Sequence, residues 1–279
     1  MTKRIIVFFG AVNCFFTVYA QGEIDLQPKV FYRNEWSLAV MLNSNGWGAN
    51  YRFGKHLNAD NKQLFEVDFA YMKDPKERKT IVNIQGATAR YVEGKKNLAF
   101  DFRFGYGKQR EIARKHDVGG VAVRYFYNFG PSIVLLKPIY YNVGKIESSI
   151  GGDYWVAFPD PLKYDSSWED HNIRISGRAS FFKGFDNLGV DPGIFGKFGF
   201  NFEFGKQDRV IQALEAGLIG EGFIKKVEIM DFTNPHLSQA KSAKNQQFFL
   251  TIFVSVRFGR IVDPYEVKKK RERSTEISY

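Results

Sequence analysis

Residues 248–259, FFLTIFVSVRFG, alternate without a break. Phe248, Leu250, Ile252, Val254, Val256 and Phe258 form one apolar row, and Phe249, Thr251, Phe253, Ser255 and Arg257 lie between them. A period of two is the signature of an extended strand with two unlike faces. Such a strand, greasy along one edge and carrying an arginine on the other, fits two architectures. It can line a soluble β-sandwich, or it can close a barrel in a membrane.

The same pattern recurs along the chain. WSLAVML and WGANYRF flank an Asn45-Gly46 turn that suits a tight hairpin, with Trp36, Leu38, Val40 and Leu42 facing one way and Asn50 and Arg52 in the polar register. Phe65, Val67, Phe69 and Tyr71 oppose Glu66, Asp68 and Ala70. Phe100, Phe102, Phe104 and Tyr106 oppose Asp101, Arg103 and Gly105, and Val123, Tyr125, Tyr127 and Phe129 oppose Arg124, Phe126 and Asn128. Phe198, Phe200, Phe202 and Phe204 oppose Lys197, Gly199, Asn201 and Glu203. The period is weaker in VIQALEAGLIG, where Leu214, Ala216 and Leu218 oppose Glu215 and Gly217. Helical periodicity never persists; REIARKHD is the one segment that suits a helical turn, and GYGKQREIARK, which lacks a phosphate-loop pattern, reads as an inner turn.

The amino terminus, MTKRIIVFFGAVNCFFTVYAQ, has the layout of a secretory signal peptide over 1–20: basic Lys3 and Arg4, an apolar run, and a small-residue cleavage site at Ala20. Cys14 lies inside it, so a mature chain would have no cysteine for a disulfide, a thiolate nucleophile or a thiolate metal site. No later stretch reaches the roughly 18 apolar residues of a spanning helix. The formal charge of +10 on an exported chain argues against a nucleic-acid role. It favours phosphorylated lipid heads and other envelope anions.

The polar faces mix small residues with both signs of charge, as the crowded interior of a membrane barrel requires. The apolar faces carry runs of Phe with Trp or Tyr near strand ends, like an interfacial girdle. The expected fold is therefore all-β, a transmembrane antiparallel up-and-down barrel over residues 35–259. A short periplasmic lead (21–34) precedes it and a basic tail (260–279) follows; a soluble sandwich is the competing fold. With the first strand running outward, loops 73–96 and 223–247 fall outside, and 55–63 and 205–208 become inner turns. Eight strands are legible. Two more are expected in 142–191, where the period fails, giving about ten in a range of eight to twelve.

A signal peptide, aromatic alternating strands and a final strand ending in Phe258 resemble Gram-negative outer-membrane barrels generally. In those, the last strand is what the barrel-assembly machinery recognises, although here twenty residues follow Gly259. GGVAVRYFYNFGPSIVLLKPIYY, ISGRASFFKGFDNL with PGIFGKFGFNFEFG, and ALEAGLIGEGFIKKVEIM resemble a family of Bacteroidota outer-membrane barrels, covering most of 97–259. The resemblance implies a fold and an outer-membrane location. It implies no activity.

Glu66, Asp68, Asp101, Arg103, Arg124, Lys197, Glu203, Glu215 and Arg257 fall in the interior register. Signs nearly balance, which points to a salt-bridge plug filling a narrow barrel; a polar conduit is the alternative. Arg257 is expected to meet a carboxylate such as Glu203 or Glu215. His56, His116, His171 and His236 show no ligand spacing, and Glu169-Asp170-His171 is the nearest acid–base grouping. No catalytic residue, metal or cofactor is therefore expected. The expected role is a non-enzymatic structural or accessory component of an envelope assembly or secretion complex. Its expected partners are membrane lipid and lipopolysaccharide, touched by Lys73, Lys76, Arg78, Lys79, Lys95 and Lys96. The assembly machinery would engage 248–258. Another envelope protein would be reached through the loops or through Lys268, Lys269, Lys270, Arg271 and Arg273. A narrow solute channel is the first alternative and a rim hydrolase the more distant one.

Overall fold

A computed structural model describes residues 34–58, 60–84, 87–115, 120–150, 152–168, 173–204, 210–231 and 245–262. The expected signal peptide, the five basic tail residues, the Glu169-Asp170-His171 group, His116 and His236 lie outside the described residues. The strands are β1 (Asn34–Asn43), β2 (Gly46–His56), β3 (Asn61–Met72), β4 (Lys79–Ile84), β5 (Ala87–Val92), β6 (Asn97–Ala113) and β7 (Ala122–Pro138). They continue as β8 (Tyr140–Ser149), β9 (Gly152–Ala157), β10 (Leu162–Lys163), β11 (Ile173–Arg178), β12 (Gly189–Glu203), β13 (Val210–Phe223) and β14 (Phe248–Val262).

Eight of them close into one antiparallel barrel in the order β1, β2, β3, β6, β7, β12, β13, β14. Closure is the β1–β14 ladder, from Asn34 opposite Val262 to Asn43 opposite Phe253. This corrects the expected ten: the legible alternating stretches supply the whole wall. The β1–β2 connection spans only Ser44 and Asn45, and Gly46 is obligatory there. A Cβ on it would stand 1.9 Å from the Tyr71 carbonyl oxygen. β6 runs on to Ala113, so GYGKQREIARK is mostly strand and neither an inner turn nor a helical turn. β14 likewise continues three residues past Gly259, within the stretch expected as tail.

Within the irregular region between β7 and β12, β8–β11 build a sheet beyond the wall instead of adding strands to it. β8 follows β7 after a single residue and pairs with β9, β10 and β11. Its core is Leu98, Ile139, Tyr141, Val143, Tyr164 and Trp168. The buried Tyr141 hydroxyl donates to the Lys95 carbonyl at 2.9 Å. Burial pushes its pKa up, which keeps it a donor. β4 and β5 form a separate hairpin.

The barrel is inside-out by the standard of a soluble one. Trp36, Leu38, Val40, Phe65, Phe104, Phe129, Phe198 and Leu218 are exposed on the outer surface, while Arg52, Arg103, Arg257 and Glu215 are buried within. Water would penalise so large an exposed apolar belt, and hydrocarbon does not. The closed wall also satisfies the backbone without a free edge, the condition for strands to span a bilayer. The fold is a transmembrane β-barrel.

Candidate functional site

Alternation sends every second side chain of eight strands into one narrow lumen, and eight strands leave just enough room for those side chains to fill it. The centre holds three carboxylates and three cations. Arg52 of β2 is hydrogen-bonded to Glu66 of β3 and places Nη1 2.6 Å from Glu215 of β13. Arg257 of β14 donates from Nε to the same carboxylate at 2.9 Å and from Nη1 to Ser37 at 2.9 Å. Lys197 of β12 sits 3.1 Å from both Glu66 and Asp68. Asn50, Asn201 and Ser255 complete the layer by hydrogen bonds to Asp68, Glu215 and Glu215.

None of the six charged side chains is more than 3% exposed, so the layer is a packed plug. Apolar side chains fill the gaps: the Arg52 guanidinium lies 4.4 Å from the Phe126 ring centre, and Lys197 lies 5.1 Å from that of Phe253.

Two smaller charge groups lie on either side. Toward the long loops, Arg103 pairs with Asp101 at 2.7 Å and with Glu221 at 2.5 Å, again fully buried. Toward the short turns, Arg124 pairs with Glu203 and with Glu111 at 3.1 Å, and Lys62 with Glu35 at 2.6 Å. The nine interior candidates thus fall into three groups rather than one network. Arg257 has Glu215 as its partner, and Glu203 belongs to Arg124 instead. Arg52, Glu221, Glu111, Glu35 and Lys62 are the members absent from the sequence list. Glu221, Glu111 and Lys62 sit in the same two-residue register as the listed Glu215, Arg103 and Glu66, and Arg52 shares that of Asn50.

The long-loop end is sealed by hydrocarbon. Val227, Ile229 and Met230 pack on Met72, Ala99, Val134, Leu136 and Phe223 across the barrel mouth. The segment is stitched down by Lys96 and Asn97 amides donating to the Ile229 carbonyl at 3.0 and 3.1 Å, and by Asp231 to Gly94 at 2.7 Å. Two lysines expected to reach lipid phosphates are engaged here. Lys95 is buried against Glu77 at 2.6 Å, and Lys96 pairs with Glu228 at 2.6 Å. Phe248, Leu250, Ile252, Val254, Val256 and Phe258 all point outward and are exposed. His56 ends β2, and among the described residues no group of His, Cys, Asp and Glu is placed to hold a metal ion.

No family model and no curated protein matches this chain in sequence. Among solved structures it is similar to Neisserial surface protein A, at 8% identity and a TM-score of 0.38, over 83% of this chain and 97% of that one. It is also similar to Ail, the attachment invasion locus protein of Yersinia pestis, with and without the heparin analogue sucrose octasulfate. Those TM-scores are 0.36 and 0.35, with the same identity and coverage. Likeness this distant says nothing of activity, and the barrel stands on its own strand pairing.

Proposed function

We propose that this chain is a closed, non-enzymatic barrel of a Gram-negative outer membrane, exported on residues 1–20, and a structural or accessory part of an envelope complex. The observation that carries this reading is the filled lumen. A central plug of six paired charges sits beneath a hydrophobic seal and leaves the two ends of the molecule as its working surfaces. With the long loops outside, the lobe built on β8–β11 faces the exterior. The paired Asn34 and Val262 would then lie at the periplasmic end of the barrel, and the basic tail would meet another envelope protein on that side. β14 is the strand the assembly machinery would engage.

In planar bilayers the purified barrel is expected to show no unitary conductance at low voltage. Discrete, reproducible openings would replace this reading with that of a narrow channel.

A second experiment addresses the tail. Truncation belongs after Val262, since residues 260–262 are ladder members opposite Trp36, Glu35 and Asn34. The truncated barrel is expected to keep its heat-modifiable gel shift while losing a partner that co-purifies with the full chain in mild detergent. Retention of that partner would move the contact to the exterior lobe.

A further inference from the structure

One feature of the lipid-facing wall is unlike the rest. Most outward positions carry large side chains, but Gly196 and Gly220 face each other across the β12–β13 ladder, with Gly222 two residues on. A Cβ built on Gly196 or Gly220 would meet nothing within 4 Å, so both open onto free space. Around this floor lies a groove of about 750 Å³, walled by Ile194, Ile224 and Phe248. All its lining residues come from one edge-to-edge patch of β12, β13, β14 and the residue after β13, and none from across the lumen, so the groove opens outward. Ile194 and Phe248 are 73% and 75% exposed, standing up from the wall instead of packing into the notch.

Beyond the groove's loop end the chain turns basic. At its loop end Ile224 is held by its amide donating to the Pro192 carbonyl at 3.0 Å and by its carbonyl accepting from Gln247 at 2.7 Å. The next two residues are Lys225 and Lys226, both exposed. Neither forms an ion pair among the described residues, and the nearby Glu228 is taken by Lys96. An apolar slot on the outer wall, followed directly in the chain by two exposed cations, offers the two chemistries of one lipid molecule, a bed for hydrocarbon and partners for an anion.

We propose that this groove is a binding site for a membrane lipid with a phosphate monoester headgroup, one acyl chain lying over Gly196 and Gly220 and the phosphate held by Lys225 and Lys226. A monoester carries close to two negative charges at neutral pH, matching two consecutive exposed lysines, whereas a phosphodiester carries one. A second copy of the chain is the poorer occupant. A two-fold contact through this patch sets the two lysine pairs against each other. The inference rests on the transmembrane reading of the barrel and not on its closed lumen or its proposed partners.

The test uses the full-length barrel reconstituted in phosphatidylcholine vesicles, with spin-labelled phosphatidic acid, phosphatidylglycerol or phosphatidylcholine as probe. The motionally restricted fraction at the protein surface is the readout. Phosphatidic acid is expected to be favoured over phosphatidylcholine on the order of fivefold, with phosphatidylglycerol between them. Filling the slot with Gly196→Ile and Gly220→Ile, which the open space accommodates, is expected to abolish that preference. Lys225→Gln with Lys226→Gln is expected to equalise the three probes, and these exposed positions keep the test valid should the filled variant not fold.

Equal restriction of all three lipids by the unaltered protein would overturn the assignment. So would a preference that survives in the glycine-filled or lysine-neutralised variants. A dimer in mild detergent that the isoleucines abolish, without any headgroup preference, would give the groove to a second copy. Failure to insert into vesicles at all would instead refute the transmembrane reading.

Discussion

Replacing Glu215 with glutamine is expected to lower the unfolding free energy of the barrel by about 3–5 kcal/mol. That carboxylate accepts from Arg52 at 2.6 Å, Asn201 at 2.8 Å, Arg257 at 2.9 Å and Ser255 at 3.2 Å, so it ties β2, β12, β13 and β14 together. Glutamine keeps the shape but turns an amide NH₂ toward two guanidinium groups, setting donor against donor. It also leaves three buried cations facing two carboxylates. Water cannot reach them to compensate, because Arg52 and Arg257 are each 1% exposed.

The measurement is a urea titration of the barrel in vesicles, followed by Trp36 and Trp47 fluorescence and by heat-modifiable migration. Arg257→Gln added to Glu215→Gln restores two cations to two carboxylates and is expected to recover a substantial part of the loss, a coupling that distant sites do not show. Glu203→Gln, whose side chain is 16% exposed, is expected to cost about 1 kcal/mol or less. A loss at Glu215 no greater than at Glu203 would show that the central layer is not a cooperative plug.

The difference between these two carboxylates was only half legible in the sequence. Alternation placed both in the interior register, because a period of two reports the face a residue occupies and nothing about depth. Depth comes from the ladder offsets, which seat Glu215 in the middle of β13 and Glu203 at the end of β12. Alternation blurs in VIQALEAGLIG because the lumen takes apolar fillers as well as charges. Ile211, Ala213 and Ile219 are buried there, as Phe126 and Phe253 are on other strands. Glu221 lies just beyond that blurred stretch, and Glu111 lies in a segment whose basic residues read as a turn.

The two missing wall strands have a different cause. β8 and β11 pack Tyr141, Val143, Ile173 and Ile175 on Tyr164 and Trp168 rather than on lipid, so the pattern that marks the wall has no reason to appear. The groove at Gly196 and Gly220 is invisible to alternation for a simpler reason: glycine has no side chain with which to declare a face.

The closing strand offers the sharpest discrimination between the membrane barrel and any water-soluble alternative, through Val254→Arg. Val254 points outward near the middle of β14, paired with Leu42 of β1 and Ala216 of β13, and it is 44% exposed. On a protein surrounded by water, an arginine at a half-exposed surface position changes stability by about 0.5 kcal/mol or less. At the midplane of a bilayer the same substitution costs about 2–4 kcal/mol, because the guanidinium must be carried into hydrocarbon or drag water and headgroups toward it. The expected result is that loss in reversible folding into phosphatidylcholine vesicles, with Val254→Leu unchanged. Arginine at Phe258, near the short-turn end of the same outward row, is expected to cost under about 1 kcal/mol, since the penalty falls toward the interface. A depth gradient along one row of one strand has no counterpart in a soluble fold, where each of these side chains would meet the same water. Equal and negligible costs at Val254 and Phe258 would therefore remove the bilayer from the structure's explanation, and with it the reason for an apolar exterior around a charged core.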